Sequence, residues 1–211
     1  MRSRAAATIL SRAGFREVYS MEGGIKAWNG FVAKGVPEAG MAYFPPASKP
    51  EELVALAWML EEGSRKFYAA TTQTLQDPSA RTLYADLVED EERHKESLLR
   101  LYRETAGPKA DPGFPGSVIS GEPAGTYMEG GIRVDEALKW TKEKEISDIL
   151  ELSLSLEVNS SDLYIEMERK VEDAKSKKTF QVLAEEEKEH LSRLNSAFKR
   201  TLERSKERSK K

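Results

Sequence analysis

Apolar residues Leu53, Leu56, Ala57, Leu60, Phe67 and Tyr68 recur at helical spacing and predict a long amphipathic helix over 49–74, opened by Ser48, Pro50 and Glu51. Asp77-Pro78 starts a second helix with Leu83, Leu87, Leu98 and Leu101 on its stripe, ending near Thr105 before Gly107-Pro108. Ile149, Leu156 and Leu163 mark a third, after a short lead-in helix at "VDEALKW". Leu183, Leu191 and Leu194 mark a fourth, from about Thr179 past Phe198, with "EDAKSKK" as the turn before it. Short connections make the first two helices one antiparallel hairpin and the last two another. Between the hairpins lie residues 106–133, crowded with Gly and Pro and lacking periodicity. A helix of about 26 residues is about 39 Å long, and an extended chain gains about 3.3 Å per residue. The connection can therefore run the length of the molecule, which predicts a mainly α four-helix bundle with one long crossover.

The first 36 residues follow another pattern. "SRAAATILSRAG" reads as a helix stopped at Gly14, "EVYSM" as a short strand, "EGG" as a turn and "IKAWNGFVAKG" as a second helix. One strand between two short helices buries too little surface to stand alone. Residues 37–47 form a Pro- and Gly-rich linker, 48–205 the helical domain and 206–211 a basic tail.

Composition narrows the function. The formal net charge of −3 does not point to nucleic acid, and the cations of "KRTLERSKERSKK" suit a helix C-terminus. The absence of cysteine excludes thiolate nucleophiles, disulfides and cysteine-ligated metals in this sequence. No apolar run approaches the ~20 residues of a membrane span, and a cytoplasmic location is expected.

The chain contains two histidines, and both occupy the same local frame: Glu91 precedes His94 by three residues, and Glu187 precedes His190 by three. The two motifs are 96 positions apart, and so are Glu61 and Glu157, Ser64 and Ser160, and Tyr68 and Tyr164. The two hairpins are thus one unit repeated in register. Each acid sits where the apolar stripe demands a core residue, so four carboxylates and two imidazoles converge inside the bundle. Unpaired, each buried carboxylate costs several kcal/mol. Two divalent cations match four carboxylates in charge, and the mixed oxygen and nitrogen set suits iron or manganese, with zinc possible by affinity. This is the ligand pattern of di-iron and di-manganese bundles. A lone E-x-x-H in a Glu-rich helix is ordinarily a solvated face; six residues in duplicated register are not. Tyr68 and Tyr164 read either as core aromatics or as hydroxyl partners of the carboxylates, and Ser64 and Ser160 as small residues that let helices approach.

The motifs "LEEGSRKFY", "VEDEERHKESL", "LEVNSSDLY" and "LAEEEKEHLSRL" resemble those of the rubrerythrin family within the ferritin-like superfamily. The resemblance implies a ferritin-like bundle holding two irons on Glu61, Glu91, His94, Glu157, Glu187 and His190. It makes Glu91 and Glu187 the bridging, catalytic carboxylates and Glu61 and Glu157 the flanking ones. It implies an oxidoreductase that reduces peroxide or dioxygen. The alternative is a ferroxidase or iron-binding module without turnover, favoured by one departure: peroxide-reducing members carry a further glutamate where this chain has Ser160. With no cysteine-ligated electron-transfer module, electrons are expected from an external donor protein. A homodimer is expected, and the long crossover allows helix pairs to be exchanged between subunits.

The segment "RSRAAATILSRAGFREVYSMEGGIKAW" resembles the second half of a rhodanese domain, with Arg2 and Ser3 as remnants of its C-x-x-G-x-R-S loop. The nucleophilic cysteine is not in this sequence, so it is expected to transfer no sulfur. A longer rhodanese–rubrerythrin fusion is the expected parent.

Overall fold

A computed structural model describes residues 49–107, 110–119 and 123–208. The rhodanese-like reading of residues 1–36, the linker at 37–47, the Ser48 cap and the end of the basic tail at 209–211 lie outside the described residues.

Four long helices carry the fold: α1 (Pro50–Thr74), α2 (Pro78–Ala106), α4 (Ile146–Lys170) and α5 (Ala174–Arg208), with a short α3 (Val134–Thr141) ahead of α4. Their starts follow from local chemistry. Glu52 reaches back to accept the Lys49 N–H at 3.0 Å, and Pro50 stands where a helix needs no amide donor. Asp77 caps α2 by accepting the Ala80 N–H at 2.9 Å. The last turn is shorter than the sequence reading allowed. Only residues 171–173 break the chain, because Asp173 accepts the Ser176 N–H at 2.7 Å and starts α5 at Ala174. Lys175, Lys177 and Lys178, read as turn, are therefore helical; polarity marked exposure there, not irregularity.

α1 pairs with α2 and α4 with α5 as antiparallel hairpins. The core is in two parts. One contains Leu53, Leu56 and Leu60 of α1, Leu98 and Leu101 of α2, Leu163 and Met167 of α4, and Phe180 and Leu183 of α5. The other contains Phe67 and Tyr68, Tyr84 and Leu87, Ile149, Leu150 and Leu156, and Leu194 and Ala197. On each helix the stretch between these blocks carries the acids and histidines, so a polar layer crosses the middle of an apolar bundle. Tyr84 takes the fully buried place on α2, with Leu83 only half-buried beside it.

The block order also sets helix direction. α2 ends in the first core block and α4 begins in the second, so the crossover travels the length of the bundle. Phe114 anchors its beginning by stacking on Tyr102, with ring centroids 4.2 Å apart, and meeting Trp58 edge-on. Its far part is ordered in a way that periodicity did not reveal. β1 (Tyr127–Met128) and β2 (Ile132–Arg133) pair antiparallel, with Met128 opposite Ile132. The three-residue loop Glu129–Gly131 closes this hairpin, with Gly130 and Gly131 at φ 74° and 69°, a left-handed region that favours glycine.

Candidate metal centre

Glu91 and His94 lie one turn apart on α2, and Glu187 and His190 one turn apart on α5, so each pair presents both side chains from one helix face. Glu61 on α1 and Glu157 on α4 complete the layer. All six residues are at most 2% exposed, the burial of core leucines. The duplicated register therefore does bring them together.

Two overlapping groups result. Ligand atoms of Glu61, Glu91, His94 and Glu187 lie within 4.8 Å of one another, and so do those of Glu91, Glu157 and His190. Glu91 belongs to both. Glu187 also reaches both imidazoles: Oε1 is 3.2 Å from His94 Nδ1 and Oε2 is 3.1 Å from His190 Nδ1. His94 Nδ1 lies 3.4 Å from Glu61 and 3.5 Å from Glu91, while His190 Nδ1 lies 3.0 Å from Glu157. The two rings stack at 5.3 Å, tilted by 16°.

Both rings turn Nδ1 inward and Nε2 outward. His94 Nε2 meets Glu186 at 3.3 Å, and His190 Nε2 meets Asp90 at 3.2 Å. Asp90 and Glu186 are themselves 96 positions apart and immediately precede Glu91 and Glu187. Each thus orients the histidine of the opposite hairpin. A carboxylate accepting Nε2–H selects the tautomer whose Nδ1 lone pair points into the centre. Arg193 and Arg93 pair with Asp90 from its outer side, and His190 and Arg193 hold its carboxyl well below the ordinary range, although burial works the other way.

The tyrosines also act across the repeat. Tyr68 donates to Glu157 and Tyr164 to Glu61, so the hydroxyl of each half fixes the flanking carboxylate of the other. Of the two sequence readings for these residues, both hold: buried aromatics whose polar ends are used.

The electrostatics are those of an under-compensated acid cluster. Glu62, next to Glu61, is 2.8 Å from Arg65 and 2.7 Å from Lys95, and despite partial burial these cations pull its pKa down to about 2. Among the described residues no Lys or Arg pairs with Glu61, Glu91, Glu157 or Glu187. Burial pushes Glu61 up to about 7, its hydrogen bond with Glu91 and the charge of His94 limiting the rise. Glu91 and Glu157 rise well above the usual carboxylate range, through burial and then the charges of Glu61 and Glu187 respectively. Glu187 is held low against its burial by hydrogen bonds from Glu157 and the charge of His94. Burial disfavours charge on the imidazoles, yet Glu61 and Glu187 raise His94 and Glu157 raises His190.

The donor set fits cations. Glu61 Oε2, Glu91 Oε2, Glu187 Oε1 and His94 Nδ1 are buried atoms, one from each member of the first group, that make no well-directed hydrogen bond among the described residues although the three oxygens lie 3.2–3.5 Å from the imidazole nitrogen. Buried polar atoms are almost always partnered, so four such atoms gathered together suit a shared cation. Carboxylate and imidazole donors suit iron, manganese or zinc.

One buried acid beside the ligand layer was missed in the sequence. Glu129, in the crossover hairpin, is 3% exposed and accepts a hydrogen bond from Ser64 on α1. Only its position between Met128 and two glycines distinguishes it, and no helical period could signal it. Ser64 is therefore a partner to that carboxylate as well as a small packing residue. Its repeat counterpart Ser160 is also buried, with no partner for its hydroxyl among the described residues.

Comparison with known proteins gives two findings. Residues 148–211, which contain Glu157, Glu187 and His190, match the family model described as Rubrerythrin. A solved structure titled "Hypothetical Protein Pfu-1136390-001 From Pyrococcus furiosus" is similar with a TM-score of 0.59 and 22% identity, over 80% of this chain and 98% of that one. At that identity the likeness concerns the fold. No curated protein matches. Among the described residues no helix is long and apolar enough to cross a membrane.

Proposed function

We propose that the protein is a non-haem di-iron oxidoreductase of rubrerythrin type, reducing peroxide or dioxygen with electrons from an external donor protein. The observation that carries this reading is the pair of overlapping ligand groups that share Glu91 in the buried layer. The family match over the second hairpin supports it, and the 96-residue repeat extends the same ligand logic to the first.

Glu61 and His94 would hold one ion and Glu157 and His190 the other, with Glu91 and Glu187 between them. Bound iron would supply the electrons and the Lewis acidity for the reduction. The protein's own contribution is placement. Asp90 and Glu186 hold the imidazole Nε2–H groups, Tyr164 and Tyr68 hold Glu61 and Glu157, and the two apolar blocks exclude bulk water from both ends. Glu91 and Glu187 carry the catalytic burden because Glu91 belongs to both ligand groups and Glu187 reaches both imidazoles. Manganese or zinc is compatible with the same donors. We further propose a cytoplasmic homodimer, in which the long crossover would allow helix pairs to be exchanged.

Iron handling without turnover is the second reading, favoured by Ser160 at the position where peroxide-reducing relatives carry glutamate. Anaerobic titration with ferrous iron is expected to end at about two equivalents, the stoichiometry of di-iron bundles. Stopped-flow mixing with peroxide should then oxidise the iron, and Glu91→Ala should abolish that reaction. Sustained peroxide consumption with an added reductant would exclude the reading without turnover. A single oxidation per iron load, with no turnover whatever the reductant, would overturn the oxidoreductase.

A further inference from the structure

We propose that Glu129 is a fifth carboxylate of the metal centre, carried in by the crossover hairpin and held against α1 by Ser64. The inference rests on the metal-centre reading above and adds a residue outside its six.

Hairpin tips normally face water, yet this one turns its only charged side chain inward to 3% exposure. The backbone is shaped for that purpose at three points. Gly63 lets the hairpin lie directly on α1: a Cβ there would stand 2.0 Å from the Tyr127 carbonyl oxygen and 2.9 Å from the Met128 Cα. Gly130 and Gly131, both left-handed, reverse the chain immediately after Glu129. Ser64 then receives the carboxylate one turn beyond Glu61, on the same face of the same helix.

The surroundings of Glu129 explain what it faces. Among the described residues no Lys or Arg pairs with it, and Ser64 is its one side-chain donor. Of the charges that act on it, those of Glu91 and then Glu187, both ligand-group members, weigh most. A carboxylate buried beside other carboxylates, with one hydroxyl and its own backbone amide as donors and no cation, is costly, and packing alone does not require it. A cationic centre removes the conflict. The oxygens of Glu129 belong to neither group of atoms within 4.8 Å, so the residue stands one step back and adds negative charge beyond the four inner carboxylates. Four carboxylates balance two divalent ions. A fifth favours the centre's higher-charge state.

The test uses the full chain and the isosteric Glu129→Gln, whose amide oxygen still accepts from Ser64. Zn2+ titration calorimetry measures affinity without redox chemistry, and a spectroelectrochemical titration of the iron-loaded protein measures midpoint potential. Partners one shell out from a metal typically change its affinity about 10- to 100-fold. Glu129→Gln is therefore expected to bind Zn2+ about tenfold more weakly or worse and to shift the iron midpoint upward, because lost negative charge penalises the ferric state more. After chelation its melting temperature should be equal to or above the unaltered chain's. Ser64→Ala, which leaves the charge but frees the carboxylate, should weaken Zn2+ binding in the same direction by less. Unchanged affinity and potential in a folded Glu129→Gln would overturn this inference alone. Failure of the unaltered chain to bind Zn2+ or iron would overturn it together with the metal-centre reading, so the two failures are separable.

Discussion

Gly63→Ala sets local and tertiary preference against each other. Considered as a residue in an exposed helix, the substitution should stabilise α1 by about 1 kcal/mol, since Ala is the better helix former. The tertiary contact says otherwise. A Cβ at position 63 meets the Tyr127 carbonyl oxygen at 2.0 Å, its carbon at 2.7 Å and the Met128 Cα at 2.9 Å. All three are backbone atoms, so no side-chain rotation relieves them, and the hairpin must retreat by about 1.5 Å to restore ordinary contact near 3.5 Å. Overpacking of this kind costs about 1–3 kcal/mol, and a clash with backbone belongs at the upper end. Subtracting the helix gain leaves a net loss of about 2 kcal/mol, or about 4–8 °C in melting temperature for a chain this size. Calorimetry after chelation provides the measurement. A melting temperature that is unchanged or higher would show that the hairpin does not lie on α1, and would remove the support beneath Glu129.

Other outcomes follow from the same geometry. Saturating the chelated protein with Zn2+ at about 100 times Kd should add about 2.7 kcal/mol per site; differential scanning calorimetry would show no metal-dependent rise if the acid layer binds nothing. Tyr68→Phe and Tyr164→Phe each remove a hydroxyl donor to a buried carboxylate, and each should cost about 1.5–3 kcal/mol in denaturant unfolding; markedly unequal losses would contradict the crosswise repeat. Asp90→Asn should weaken metal binding about 10- to 100-fold while far-ultraviolet circular dichroism stays unchanged. Glu186→Gln should do less in the same titration, because its side chain is 48% exposed and shares its contact with water.

The sequence by itself determined the parts of this protein that repeat. Helical period fixes which face of each helix is inward, and the 96-residue register places an acid or a histidine on that face in all four, so the four-helix arrangement and the convergence of Glu61, Glu91, His94, Glu157, Glu187 and His190 were legible before any coordinates. Periodicity carries such information because an α-helix ties sequence spacing to direction. Where the chain is aperiodic that tie is missing. The start of α5 at Ala174 depended on one Asp173 hydrogen bond, and the β1–β2 hairpin on two-residue strands too short to leave a pattern. The crosswise contacts of Tyr68, Tyr164, Asp90 and Glu186 required knowing which hairpin faces which. Only the tertiary structure could bury Glu129 against Ser64, because its position depends on a hairpin lying against Gly63, a contact between segments more than sixty residues apart.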